Sequence, residues 1–336
     1  MTITSTGTPS TLSTSSTSST SSKTSTSLAR VATALPPGVA CNNSPLLCNR
    51  AYNNITHLGA HNSPFLRNAD TGYSVAGNQY FNTTVSLSGG VRLLQVQVHF
   101  QAGILQLCHS SCTIMDAGTL KAWLSDIKSW LDANPNEVVT LLLVNSDSVS
   151  VEFFAAAFEQ SGMPAYSYIP PFTSASSTTV WPTLGELISA NTRLVTFIAG
   201  VTPSTYYPYL LDEWQYVFET PYEVTSPEFL CTVDRPTTFS SSLTAVESGM
   251  LPLLNHFSYV PLRDGILVPN EYIINQTNSP SERDADAGAL GLHIKTCEAE
   301  WKAKPVFVLV DFWDRGPALE AVDLMNGYEV LYALFA

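Results

Sequence analysis

Residues 93–100 read Leu93-Leu94-Gln95-Val96-Gln97-Val98-His99-Phe100. Successive side chains of a β-strand point to opposite faces. Leu94, Val96, Val98 and Phe100 therefore share one face, and Leu93, Gln95, Gln97 and His99 the other. In a parallel barrel one face lies against the helices and the alternate residues point inward. Two glutamines and a histidine on the inner face depart from the branched apolar filling of a barrel interior. Such residues fit near the C-terminal strand ends, where barrel active sites lie. The competing reading is an edge strand with its polar face in water.

Outward from this strand, short β-rich runs alternate with helical stretches. The candidate strands are Ile55–Ala60, Leu93–His99, Ile104–Cys108, Val138–Val144, Leu194–Ala199, Gln215–Glu219, Leu251–Phe257 and Val306–Asp311. The clearest helix carries Leu120, Trp123, Leu124, Ile127, Trp130 and Leu131 on one apolar face, with Thr119 to cap it and Asn134-Pro135 to end it. Further helices are expected over Ser150–Ser161 and Pro317–Asn326. Eight strands separated by helices predict an α/β fold, a single TIM-type (β/α)8 barrel, regular or distorted. A doubly wound sheet would also alternate, but usually with a Gly-rich turn after its first strand, which Leu58-Gly59-Ala60-His61 is not.

Of 336 residues, 45% are hydrophobic and 13% charged, and 28 carboxylates against 15 Lys+Arg give a net charge of −13. This balance excludes the basic footprint of a nucleic-acid binder and argues against docking on anionic lipid through charge alone. No apolar run approaches the roughly 18 residues that span a bilayer. Ser and Thr make up 21 of residues 1–30, and the only charges there are Lys23 and Arg30. A stretch so poor in apolar side chains cannot offset the entropy of ordering. A disordered tail over 1–40 and a barrel domain over 41–336 are therefore expected.

Met1–Ser27 lacks the apolar h-region of a secretory signal, so export by another route, or a different natural N-terminus, is expected. The six cysteines suit the pairs Cys41–Cys48 and Cys108–Cys112, leaving Cys231–Cys297. Zinc is the rival for Cys108-x3-Cys112, but no second close pair or His pair completes such a site. Sequons begin at Asn42, Asn54, Asn82 and Asn275. The expectation is a secreted or cell-surface protein, disulfide-bonded and glycosylated.

Polar residues end several strands. His61 follows the first, His109 the third, Asn145 the fourth and Asp311 the last. In a barrel all four are expected at one mouth, where two histidines and a carboxylate form a site for acid–base chemistry.

The set Leu58-Gly59-Ala60-His61-Asn62-Ser63, Gly90-Val91-Arg92-Leu93-Leu94-Gln95-Val96-Gln97, Leu107-Cys108-His109 and Val308-Leu309-Val310-Asp311-Phe312 resembles the X-type catalytic region of phosphatidylinositol-specific phospholipases C. From about Cys41 to Ala336 the chain resembles fungal PLC-like phosphodiesterases. The resemblance implies a TIM-type barrel that cleaves a phosphodiester, in a phosphoinositide or related phospholipid or glycolipid headgroup. It implies that His61 is the general base activating a sugar 2-hydroxyl. His109 would be the general acid on the departing alkoxide, and Asp311 the acceptor that holds His61 in its useful tautomer. A reference pKa of about 6.5 suits both imidazoles.

Calcium-dependent relatives place acidic ligands where this chain has Gln95, Gln97 and Asn145, and only Asn62 keeps a calcium-ligand identity. Neutral amides hold a hard divalent ion poorly, so no metal and no cofactor are expected. Asn62, Gln95, Gln97, Asn145 and His256, which ends the seventh candidate strand, are the substrate-binding candidates. Metal-independent bacterial relatives carry an arginine near the place of Gln97; Arg92 precedes the inward run, and Lys295 and Arg315 lie on other loops. His57 and His293 are read as structural. The alternative function is a weak or inactive barrel that binds a phosphorylated or sugar headgroup. A magnesium-dependent phosphodiesterase ranks third for want of carboxylates. A monomer with at most peripheral membrane contact is expected.

Overall fold

The β-branched and leucine-rich runs form the strands of a curled parallel sheet. The computed structural model describes residues 35–36, 38–262 and 266–327. Its strands are β1 (His57–Ala60), β2 (Leu93–Gln101), β3 (Ile104–Cys108), β4 (Asp116–Thr119), β5 (Val139–Asn145) and β6 (Leu194–Ala199). There follow β7 (Leu210–Asp212), β8 (Val217–Glu219), β9 (Leu251–Asn255), β10 (Tyr259–Pro261), β11 (Leu267–Pro269) and β12 (Phe307–Val310). The main sheet runs β7-β6-β5-β2-β1-β12-β9-β8, every neighbouring pair parallel. Its two end strands are joined by the 3-10 turn Glu213–Gln215. At a rise of about 2 Å per residue such a link spans on the order of 10 Å. The chain itself thus closes the curl of a TIM-type α/β barrel.

Alternation sorts the core into two layers. Leu94, Val96 and Val98 pack outward with Leu124, Ile127 and Phe154. Leu124 and Ile127 belong to the helix Leu120–Ala133, whose Thr119 side chain accepts from the Ala122 amide. Leu93 packs inward with Leu142, Phe197, Leu253, Phe307 and Leu309. Gly59 sits among them, and a Cβ there would lie 2.8 Å from side-chain carbons of both Leu309 and Leu93. Tyr52 and Trp181, with ring centroids 5.1 Å apart, cover the N-terminal end of the bore. His57 lies there too, its Nε2 3.1 Å from the Tyr52 carbonyl, with burial pushing its pKa down to about 4. An apolar floor leaves the C-terminal mouth as the polar end of the bore.

One expected barrel strand is placed differently. β3 pairs antiparallel with the far half of β2 and with β4. The two-residue connection Ala102-Gly103, with φ of 48° and 86°, is a hairpin turn, whereas a parallel return needs a dozen residues or more. β3 is therefore a flap that extends β2 beyond the barrel. β4, β7 and the hairpin β10–β11 were not among the expected strands; they are short, of three or four residues each. The disulfides pair as expected: Cys41–Cys48, Cys108–Cys112 and Cys231–Cys297. The tail expected over 1–40 lies, apart from 35–36 and 38–40, outside the described residues.

Arg92 has a structural duty. It is 4% exposed, and its Nη2 and Nε donate to Glu137 Oε2 at 2.5 and 2.8 Å. Its Nη1 donates to the Leu87 and Val91 carbonyls. Removing one partner of such a pair leaves a buried charge uncompensated. Glu137→Gln is expected to lower unfolding free energy by about 3 kcal/mol in urea titration; a loss below about 1 kcal/mol would show that the pair is dispensable.

Candidate active site

The first and last strands of the curl deliver the central pair. His61 follows β1, and its backbone amide donates to the Val310 carbonyl at 2.9 Å. Asp311 follows β12, with its Oδ1 2.8 Å from His61 Nδ1. Asn78 Nδ2 donates to the same carboxylate oxygen at 2.9 Å. A carboxylate only accepts, so the proton of the neutral His61 ring sits on Nδ1 and Nε2 carries the lone pair. The ring stacks on Phe257 at 3.8 Å and 4° between planes. Asn278 donates to the carbonyls of Asp311, Phe312 and Arg315, which fixes the strand-end loop. His61 and Asp311 are 5% and 1% exposed, so this hydrogen bond is shielded from water.

His109 arrives from β3. The Cys108–Cys112 disulfide closes the loop that carries it, and its amide donates to the Met115 carbonyl at 3.1 Å. Its ring meets Phe65 edge-on at 5.4 Å, and its Nε2 is buried without a partner. Burial, and secondarily the neighbouring His61, push its pKa down to about 4. That corrects the ordinary value expected from the sequence. The influence of His61 places both rings within electrostatic reach, so charging one disfavours charging the other.

The amide residues split into two groups. Gln95 Oε1 accepts from the Asn62 amide at 2.6 Å, and the Gln95 carbonyl accepts from the Ser63 amide at 2.8 Å. Asn62 has φ 48° and is fully buried, and neither polar atom of its side chain has a partner. Gln97 Oε1 accepts from the Ser110 amide at 3.0 Å, tying β2 to the His109 loop. These three residues adjoin the two histidines.

Asn145 and His256 are not brought to them. Asn145 shares parity with Leu141 and Leu143, which face the helices, and both ends of its carboxamide bond to the Val149 backbone. His256 shares parity with outward-facing Leu254, and its nitrogens contact Thr277 O and His293 Nδ1. Both were expected at the mouth from their strand-end positions, but their parity partners Leu141, Leu143 and Leu254 lie in the helix-side core.

The sequence reading missed Asn78 and Phe257, and also a group at the ends of β8 and β9. Glu219 shares the inward parity of Val217, and Asn255 that of Leu253. Asn255 Nδ2 lies 3.3 Å from Glu219 Oε2, and Arg235 donates to that same oxygen. Arg235 lies 4.2 Å from the Tyr222 ring centroid. Glu213 is fully buried beside them, and burial followed by repulsion from Glu219 pushes its carboxyl well above the usual range. The signal available was the doublet Asp212-Glu213 beside a strand ending in Glu219.

A hard divalent cation does not suit the set Asn62, Gln95, Gln97 and Asn145, whose side chains are all neutral amides. The side-chain oxygens of Gln95, Gln97 and Asn145 each accept a backbone amide, that of Asn62 has no partner, and none carries a charge, whereas calcium takes six to eight oxygens, carboxylates among them. Cations near the mouth are also paired: Arg235 with Glu219, Arg67 with Glu271, and Arg315 with Asp314 and the Tyr80 ring. Lys295 faces Glu282 instead.

Comparison with known proteins agrees with this geometry. A family model described as PI-PLC X 1 matches residues 47–326. The PI-PLC X domain-containing protein 1 of Arthroderma benhamiae is 36% identical over 300 residues, covering 88% of this chain and 92% of that protein. An uncharacterized secreted protein of the same fungus is 36% identical over 279 residues, 82% of this chain and 60% of its own length. The phosphatidylinositol-specific phospholipase C of Listeria monocytogenes has the same fold, with TM-score 0.54 and 14% identity over 85% of this chain and 98% of its own. That of Staphylococcus aureus superposes with TM-score 0.50 and 14% identity over 84% and 94%. With the barrel, the strand-end histidines and this matched span together, the chain belongs to the PI-PLC X family.

Proposed function

We propose that this protein is a secreted phosphodiesterase that opens the phosphodiester of a phosphoinositide or related lipid headgroup by metal-independent acid–base catalysis. The observation that carries the reading is the Asp311–His61 hydrogen bond, which leaves the lone pair of His61 on Nε2 with His109 within electrostatic reach. His61 Nε2 takes the proton of a sugar hydroxyl next to the phosphate, and that oxygen attacks phosphorus. His109, charged, gives its proton to the departing alkoxide. A cyclic phosphate is the first product. Asp311 stabilises the imidazolium that forms at His61 and keeps its ring in place. Asn62, Gln95 and Gln97 provide amide N–H donors for the phosphate oxygens.

Secretion is supported by three disulfides, by the absence of a described helix long and apolar enough to cross a membrane, and by the fungal relative called a secreted protein. The lipid is met at the membrane surface, by a monomer in peripheral contact.

A second reading rests on the charge inventory. With cations at the mouth paired and amides where relatives carry arginine or carboxylates, the barrel binds a phosphorylated or sugar headgroup and turns it over slowly or not at all. Electrostatic stabilisation is usually the largest catalytic contribution. If that deficit governs, Gln97→Arg is expected to raise turnover of phosphatidylinositol at least about tenfold; an unchanged or lower rate would count against the deficit.

On the leading reading, His61→Ala and His109→Ala each lower kcat for phosphatidylinositol vesicles by about 10²–10⁴-fold, while EDTA leaves the wild-type rate unchanged. Full activity in either variant, or loss on chelation, contradicts the mechanism.

The pH profile follows from the depressed His109. In the free protein its charged form prevails only below about 4. His61 must be neutral while His109 is charged, so kcat/KM should follow the product of those two fractions and fall by about tenfold per pH unit only above the higher of the pair's two apparent pKa values. A bound phosphodiester anion stabilises the imidazolium and raises its pKa, so the basic limb of kcat lies at higher pH than that of kcat/KM. Coincident limbs in stopped-assay profiles would show that His109 is not the acid.

A further inference from the structure

The fold separates the sequons that the sequence alone treats alike. At Asn42 the side-chain Oδ1 accepts from the Val138 amide at 2.7 Å, and Nδ2, the atom that would carry a sugar, is buried. A bulky glycan there would break that contact. At Asn82 the side-chain oxygen accepts from the Val85 amide and the Thr84 hydroxyl, and at Asn275 from the Gly316 amide. Both of these lie at the mouth end of the barrel. The Phe81 ring is 6.4 Å from that of Trp313, two residues beyond Asp311, and Gly316 follows in the same loop. Asn54 is different. It ends the 3-10 turn Tyr52–Asn54, is exposed, and its side chain makes no hydrogen bond among the described residues.

Asn54 borders a groove of about 430 Å3 at the other end of the barrel. Ile55, Thr56, Met250, Pro305 and Val306 line it just ahead of β1, β9 and β12, three neighbouring parallel strands. The groove therefore lies at the pole opposite the catalytic mouth. Met250 and Pro305 give it apolar surface, and Glu298 and Lys302 give it charged groups. Lys302 Nζ donates to the Ala299 carbonyl, which leaves two of its three N–H groups for another acceptor. A pyranose ring carries C–H groups on its faces and hydroxyls around its edge, so it suits a mostly apolar lining with a few polar groups.

On the secreted reading, on which this site rests, we propose that Asn54 carries an N-linked oligosaccharide, added before the barrel closes, whose first sugar lies in this groove. Asn54-Ile55-Thr56 is the acceptor sequence. The donor is a lipid-pyrophosphate-linked oligosaccharide. Asn54 Nδ2 forms a bond to the anomeric carbon and gives up one proton, while the bond from that carbon to the pyrophosphate oxygen breaks. The lipid pyrophosphate leaves with the electron pair, and nothing is oxidised or reduced. The timing follows from Thr56, which is 3% exposed. Its hydroxyl donates to the Pro305 carbonyl at 2.7 Å, and its amide to Asn326 Oδ1 at 3.0 Å. These partners lie 249 and 270 residues further along the chain. The hydroxyl that completes the sequon is thus open only until that part of the chain folds against it.

The test expresses the full chain in yeast behind a cleavable secretory leader. Peptides from the medium are read by mass spectrometry after peptide N-glycosidase in heavy-oxygen water. Asn54 is expected to convert to labelled aspartate and Asn42 to stay unconverted, and Asn54→Gln is expected to lose one glycan. Reductive methylation should be slower at Lys302 in the wild type than in Asn54→Gln, with the exposed Lys121 equal in both. Folded, unglycosylated protein should not accept the oligosaccharide at Asn54 in vitro, and the same chain reduced and alkylated should. A bare Asn54 in the secreted chain, an occupied Asn42, equal labelling of Lys302, or transfer to the folded protein would each overturn the proposal and leave the secreted reading standing. Native protein confined to the cytosol would overturn the secreted reading, and this site with it.

Discussion

The hydrogen bond between His61 and Asp311 joins the ends of the first and last barrel strands, 250 residues apart in the chain. It exists only because β1 lies beside β12 in parallel register, with Ala60 opposite Val310. Each element around it serves that placement. Gly59 lets Leu93 and Leu309 fill the bore beneath, Phe257 fixes the ring plane, and Asn78 and Asn278 hold the carboxylate and its loop. Burial removes competing water, so the bond is stronger than an exposed one would be.

The partner histidine depends on a different device. His109 sits on a flap rather than on a barrel strand, and its position relies on the hairpin β2–β3, the Gln97 contact to Ser110 and a disulfide ring that encloses it. The two rings therefore differ in environment. One leans on a carboxylate; the other is surrounded by apolar contacts and pushed toward neutrality. Divergent surroundings for two like groups are how acid and base roles become separated. With nearby cations already paired, the proposed mechanism has charge that develops on a phosphate met by amide N–H groups rather than by a free guanidinium.

Much of this was legible in the residue order. Alternation in Leu93–Phe100 placed Gln95 and Gln97 on the inner face, and the strand-end positions of His61, His109 and Asp311 led to one site. Other parts were hidden for identifiable reasons. Ala102-Gly103 marks a hairpin only if positive φ is granted to Ala102, a residue that seldom adopts it. Asn145 ends a strand but shares the parity of helix-facing leucines, which the same alternation rule would have shown. His256 and His293 come together through tertiary packing across 37 residues, which no local pattern carries. Asn78 lies in a loop whose path is set by its own hydrogen bonds, so its contact with Asp311 has no periodic signature.

Nitrogen-15 chemical shifts of the His61 ring test the central pairing most directly. With Asp311 accepting from Nδ1, the neutral ring is expected to show a protonated Nδ1 and a bare Nε2, and Asp311→Asn is expected to mix or reverse the two. A neutral His61 protonated on Nε2, or a tautomer indifferent to Asp311, would contradict the role assigned to this hydrogen bond.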